Sequence, residues 1–225
     1  MSKKTYFRKL PNFEYQSIQK DSKIIDDFDT VKNIFKKGRI RPDIFSNLNF
    51  FNKYTIKGNK RPDQVAYELY GDSDLDWIIL MCNNILNVQN EWPLSLESYD
   101  RYLLDKYGSY QNIDGIHHYE TREVRDSQNK IIVKKGIRVQ SPYTITYYDP
   151  GKATEVTTGN IAVEITNRSY EESVQREKTQ IYVLKKDYIP LVLNDMELIM
   201  MYKKGSSDYV TRSLKSTQPI RLYQG

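Results

Sequence analysis

YTIKGNKRPDQVAYELYGDSDLDWIILMCNNI, residues 54–85, is the stretch whose reading decides the fold, because strand, breaker, helix and cap signals follow one another in it without a gap. Tyr54, Thr55 and Ile56 have the aromatic and β-branched character of a strand, and Gly58 breaks it. Pro62 stands where a first helical residue tolerates the missing N–H. Asp63 in that turn suits the helix dipole, Val65, Ala66 and Leu69 form a buried stripe, and Gly71 after Tyr70 supplies a left-handed stop. Ser73 with Asp76 three residues on has the capping-box pattern, while Leu75, Ile78, Ile79 and Cys82 recur at helical spacing. Asn83 and Asn84 suit the exit from this second helix. The expected product is two short helices packed on a small sheet, the centre of an α+β chain.

That order resembles a LysM module, a βααβ unit, and more narrowly it is similar to the baseplate wedge protein 53 family of contractile-tailed, T-even type bacteriophages. The residues carrying the narrower resemblance are Tyr54, Ile56, Gly58, Arg61, Pro62, Ala66, Tyr70, Gly71, Trp77, Leu80, Met81, Cys82 and Asn83. A weaker similarity lies in SYEESVQREK and IYVLKKDYIPLVLNDMELIM, residues 169–178 and 181–200, a helix, strand, helix series; residues 108–163 carry no family signal. The resemblance implies a structural, non-enzymatic virion subunit made in the host cytoplasm. Its implied partners are the other baseplate wedge proteins and the central hub, with six copies per baseplate from the sixfold symmetry of the tail. No cofactor, nucleic acid or membrane is implied. The alternative is a LysM tail protein binding peptidoglycan through N-acetylglucosamine, or an accessory of a cell-wall hydrolase.

Composition sets wide bounds. A chain of 225 residues buries a real core without disulfides, and its one cysteine, Cys82, falls on the apolar side of the second helix, where a thiol acts as a small hydrophobe. No apolar run approaches the ~20 residues that span a bilayer, and MSKKTYFRKLPNF lacks the uninterrupted hydrophobic segment of a signal peptide. The net charge of +5, from 34 basic and 29 acidic residues, is spread through the chain and does not imply nucleic-acid binding. The 19 tyrosines suit surfaces that become buried against partners, and they equally suit a half-buried sheet.

Four segments are expected: a lead-in over 1–52, the LysM-like module with a trailing helix over 53–108, a β-rich insertion over 109–166, and a helix, strand, helix and tail over 167–225. Tyr6, Phe7, Leu10, Pro11, Phe13 and Tyr15 have no period, which suggests an extended arm lying on its own domain or on a neighbour. Residues 24–34 read as a strand or a short helix. Trp92, Pro93 and Leu94 stand where the second strand of the module would close the sheet, Ser95 can cap a helix ended by Gly108, and Ser169 with Glu172 opens another. The last twenty or so residues, from Gly205, suit a tail ordered against a partner.

Little in the chain suggests catalysis. Glu91 and Asp100 have a spacing like that of some phage lysozymes, but Lys106 stands where a matching threonine is needed. His117 and His118 are adjacent, so on a regular strand they point to opposite faces and cannot share a metal. In a LysM reading, the loops 58–61 and 83–89 would form the ligand face, with Asn83, Asn84 and Asn87 as donors and Tyr54 or Trp92 as stacking rings. Lys57, Lys60 and Arg61 at its mouth suit acidic side chains as well as a neutral glycan. Trp77 reads as core. The candidate protein-interface residues are therefore Tyr6, Phe7, Phe13, Tyr15, Tyr54, Lys57, Lys60, Arg61, Tyr70, Asn83, Asn84 and Trp92, with no catalytic, cofactor or metal residues.

Overall fold

The strand and two helices expected between residues 54 and 85 are present, within a unit that the chain leaves after Trp92 and re-enters at Gln180. The computed structural model describes residues 5–16, 28–205 and 209–216. The outgoing segment carries α1 (Tyr6–Lys9), β1 (Asn12–Gln16), β2 (Phe28–Lys32), α2 (Pro42–Phe45), β3 (Phe51–Thr55), α3 (Pro62–Tyr70), α4 (Asp76–Cys82) and α5 (Val88–Glu91). The second unit, residues 93–179, carries α6 (Leu96–Tyr107), α7 (Tyr110–Ile113), β4 (Ile116–Thr121), β5 (Val124–Arg125), β6 (Ile131–Val133), β7 (Arg138–Val139), β8 (Ile145–Asp149), β9 (Thr154–Thr158), β10 (Ala162–Thr166) and α8 (Asn167–Thr179). The returning segment adds β11 (Gln180–Leu184), α9 (Ile189–Met200), β12 (Tyr209–Thr211) and β13 (Leu214–Ser216) to the first unit.

Local signals explain the helices of the first unit. Pro62 opens α3, Gln64 Oε1 accepts the Arg61 amide at 3.0 Å, and Gly71 closes the helix at φ 77°. The second helix starts differently from the capping-box expectation: Asp72, not Ser73, caps it by accepting the Asp74 amide, and a 3-10 turn over Ser73–Leu75 precedes α4. An aspartate in extended conformation reaches the amide two residues on more directly than a serine one position later. Val65, Ala66, Ile78 and Ile79 are fully buried, each large side chain contributing roughly 1.5–3 kcal/mol by leaving water.

The strand that closes this sheet is not at 92–94. β11 pairs antiparallel with β3, from Gln180 opposite Thr55 to Leu184 opposite Phe51. Strand β3, helices α3 and α4 and strand β11 therefore follow one another in a βααβ order, with the whole second unit inserted before the last strand. On α9 the buried face is Ile189, Val192, Met196 and Met200, while Leu191 is exposed. A second sheet in this unit has the order β12-β13-β1-β2, with β1 parallel to β13 and antiparallel to β2. Residues 209–216 are thus held by their own chain, whereas the remainder of the expected partner-ordered tail lies outside the described residues.

In the second unit β10, β4 and β7 form a sheet in that order, and β5–β6 and β8–β9 are separate hairpins. Ser95 caps α6 by accepting the Ser98 amide, and Gly108 ends it at φ 76°. Helix α8 begins two residues before Ser169, capped by Thr166, whose Oγ1 accepts the Ser169 amide at 3.2 Å. Glu171, buried on α8, accepts hydrogen bonds from Lys106 Nζ at 2.6 Å, Tyr107 hydroxyl at 2.9 Å and Tyr102 hydroxyl at 3.3 Å. A register shift in the β4–β10 pairing removes the alternation expected of the histidines: His117 Nδ1 and His118 Nδ1 lie 2.7 Å apart, and the His117 ring stacks on Tyr170 at 4.1 Å. The extra residue of a bulge turns two neighbouring side chains to one side. Among the described residues no group of three or more potential ligands surrounds them or any other point, and no helix is long and apolar enough to cross a membrane.

Candidate interaction surface

In a LysM reading two loops of the βααβ segment would hold a ligand, residues 58–61 after β3 and residues 83–89 after α4. Several of their polar groups are bonded within the protein itself. Trp92 is 5% exposed, and its indole N–H donates to the Lys60 carbonyl at 2.9 Å, so the ring is buried against the first loop. Asn83 Nδ2 donates to the carbonyls of Ile79 and Tyr182, both at 2.8 Å, and its Oδ1 accepts the Tyr182 amide at 2.8 Å. The carboxamide thereby takes the place that a third strand would occupy beside β11. Asn87 accepts the Gln89 amide at 3.0 Å, and the Glu91 carboxylate accepts the amides of Leu86 at 2.6 Å and Asn87 at 3.0 Å. Glu91 therefore acts as a loop clamp.

Two interface expectations are corrected here. Tyr70 is 6% exposed and its hydroxyl donates to the Leu184 carbonyl at 3.1 Å, joining α3 to β11 inside the core. Trp92 is internal for the reason already given. Both carry a polar tip that finds a backbone carbonyl, which lets the apolar body be buried.

The remaining candidates have surface to offer. Tyr54 is half-buried, and its hydroxyl donates to Glu68 Oε2 at 3.0 Å, the same oxygen that receives Lys60 Nζ. Lys60 and then Tyr54 hold the Glu68 carboxyl below its usual range, while burial, and next the bond to Glu68, push the Tyr54 phenol up. Lys57, Arg61 and Asn84 are exposed, Arg61 beside Asp63 at 3.2 Å and Asn84 in the left-handed region at φ 53°. On the arm, Tyr6 packs against Trp77 with ring centroids 5.9 Å apart and accepts the Gly38 amide at 3.1 Å, so α1 lies on its own unit. Phe7 stays 68% exposed, Phe13 is half-buried, and Tyr15 is 44% exposed.

Sequence reasoning missed the apolar part of this surface. Leu86, 86% exposed, and Phe45, 41% exposed, flank a cavity of about 320 Å³ that also takes in Ile40, Met81 and Ile85. Leu86 sits between an asparagine-rich exit and a four-residue helix, where an isolated leucine carries no periodic signal. Cys82, on the inner side of α4, is 6% exposed, and burial pushes its thiol up to about 12, which leaves it unionised at neutral pH and inert.

Comparison with known proteins gives the chain its relatives. A family model described as base plate wedge protein 53 matches residues 5–199. The baseplate wedge protein gp53 of Enterobacteria phage T4 is 29% identical over 178 residues, which cover 73% of this chain and 86% of that protein.

Proposed function

Because the chain belongs to the base plate wedge protein 53 family, we propose that it is a joint of the contractile-tail baseplate, holding wedge subunits to one another and to the central hub. Its structural wedge role places it in the virion tail. Six copies per baseplate follow from sixfold symmetry, and the chain performs no catalysis in this role. The order β3, α3, α4, β11 supports a LysM-like reading of the first unit.

The observation that carries the protein-binding reading over a glycan-binding one is the internal use of the would-be ligand groups. A sugar amide needs free donors and acceptors beside an open aromatic face. Here the Asn83 carboxamide is engaged by Ile79 and Tyr182, and the Trp92 ring is buried. What the surface does present is Leu86 and Phe45 beside Arg39 on one cavity and, on the first loop, the exposed cations Lys57 and Arg61, apolar and charged groups that suit a protein partner.

Reconstitution of the wedge with Leu86→Asp tests this. The variant should fold as the parent does and fail to enter wedges, read by sedimentation and native mass spectrometry, while the parent enters at six copies per baseplate. Micromolar binding of chitooligosaccharide through residues 83–89, with incorporation unaffected by Leu86→Asp, would establish the peptidoglycan reading instead.

A further inference from the structure

The C-terminal end of α9 and the turn after β2 border a cavity of about 710 Å³ whose charged lining consists of Lys36, Lys203, Lys204 and Lys215. Its floor is Tyr202, 8% exposed, with Asn33 Nδ2 donating to the hydroxyl at 2.9 Å. Lys36 Nζ stands 4.7 Å from the ring centroid and Lys215 Nζ 5.5 Å, so two ammonium groups share one aromatic ring. Lys36 also donates to the carbonyls of Met200 at 3.0 Å and Met201 at 2.8 Å, which fixes it at the end of α9.

Among the described residues, no carboxylate lies in this lining. Glu197, one turn back on α9, is already paired with Lys9 at 3.0 Å. Like charges held close together raise the free energy of the unbound surface, and an arriving anion relieves that repulsion. Burial, followed by the Lys215 charge, already lowers the Lys36 pKa.

We propose that this cavity receives an acidic, partly apolar segment of another protein. Its carboxylates meet the lysines, and its apolar side chains lie on Leu198, 59% exposed, and Met201, 36% exposed. Nucleic acid fits less well. Among the described residues the one aromatic ring of the lining is buried with a cation over it, so it offers no face on which a base could stack, and none of the lining residues is an arginine that would grip phosphate in a bidentate manner. The isolated chain should bind such a segment whether or not it enters wedges.

The probe is a labelled twelve-residue peptide of aspartate, glutamate and leucine, titrated into the purified full chain at low salt. Saturable binding is expected, weakening as ionic strength rises, and absent for the same peptide with asparagine and glutamine in place of the acids. Lys203→Gln with Lys204→Gln, both at exposed positions, should weaken it roughly fivefold or more with an unchanged melt. Two results would overturn the proposal: no binding by the parent, or equally tight binding of an oligothymidylate of matched charge.

Discussion

Asn83→Ala removes one side chain that ties the end of α4 to a strand arriving from beyond the inserted unit. Three hydrogen bonds are lost, one to Ile79 and two to the backbone of Tyr182. A typical net hydrogen bond is worth about 0.5–1.5 kcal/mol, and the Tyr182 groups lie near the surface where water replaces the amide, so the lower half of that range applies and the sum is about 2 kcal/mol. For a chain of this size that corresponds to a fall in melting temperature of about 4–8 °C. Both tryptophans, Trp77 and Trp92, are buried in the first unit, so their fluorescence reports its unfolding separately from that of the second. Asn83→Asp should be worse than alanine at neutral pH, because it keeps an acceptor for the Tyr182 amide yet sets a carboxylate against two carbonyl oxygens. Tyr182 should also lose amide-exchange protection. A melt within about 1 °C of the parent, or an aspartate variant as stable as the alanine one, would refute the clamp.

Trp77→Ala should cost about 3–5 kcal/mol and leave the first unit molten by near-ultraviolet circular dichroism, whereas Tyr54→Phe, which loses only an exposed contact to Glu68, should melt within about 2 °C of the parent. Tyr70→Ala belongs with the tryptophan, not with Tyr54, because its ring is core. In the second unit, burial pushes the Glu171 carboxyl up, but the bonds from Lys106, Tyr107 and Tyr102 outweigh it and hold the group below its usual 4.5. A carboxyl with a depressed folded value contributes stability that is fully present above the unfolded value and is lost as pH falls through the folded one. Protection factors of the α8 amides, exchange rates corrected for their intrinsic pH dependence, should therefore fall below about pH 4.5 in the parent, and Glu171→Gln should flatten that dependence.

The parts of the fold that were legible in the sequence are those set by residues close together in the chain. Pro62 with Gly71, and Ser95 with Gly108, mark helix ends because a missing N–H, a left-handed φ or a hydroxyl cap acts within one turn. The partner of β3 was not legible, since nothing in IYVLKK says which edge it will take, and Trp92 and Leu94 offered a nearer strand-like run. Side chains whose role depends on a distant carbonyl were misread for the same reason. Tyr70 looks alike in sequence whether its hydroxyl meets Leu184 or water, and Asn83 looks like a helix exit whether or not Tyr182 comes alongside. The bulge at His117 left no mark either, because a register shift is a property of two strands and not of one.

Late segments of the chain close the first unit. Strand β3 acquires its partner only when β11 follows the inserted unit, and β1 acquires its parallel neighbour only when β13 follows α9. Both pairings join residues far apart in the chain, so they form slowly and depend on nearly the whole chain being present. Until then Ile181, Val183 and Leu184 have no core to enter, and the inner faces of α3 and α4 have no cover. Once closed, the two ends of the unit are fixed by side chains whose polar atoms are already bonded within it, Asn83 and Trp92 on one sheet and Lys36 and Tyr202 beside the other. Docking on a surface fixed beforehand involves little ordering, and less of the contact energy is lost to freezing loops. In the proposed role a member of the wedge family gains from that order of events, because side chains left exposed, such as Leu86, are presented on a fold that is already complete.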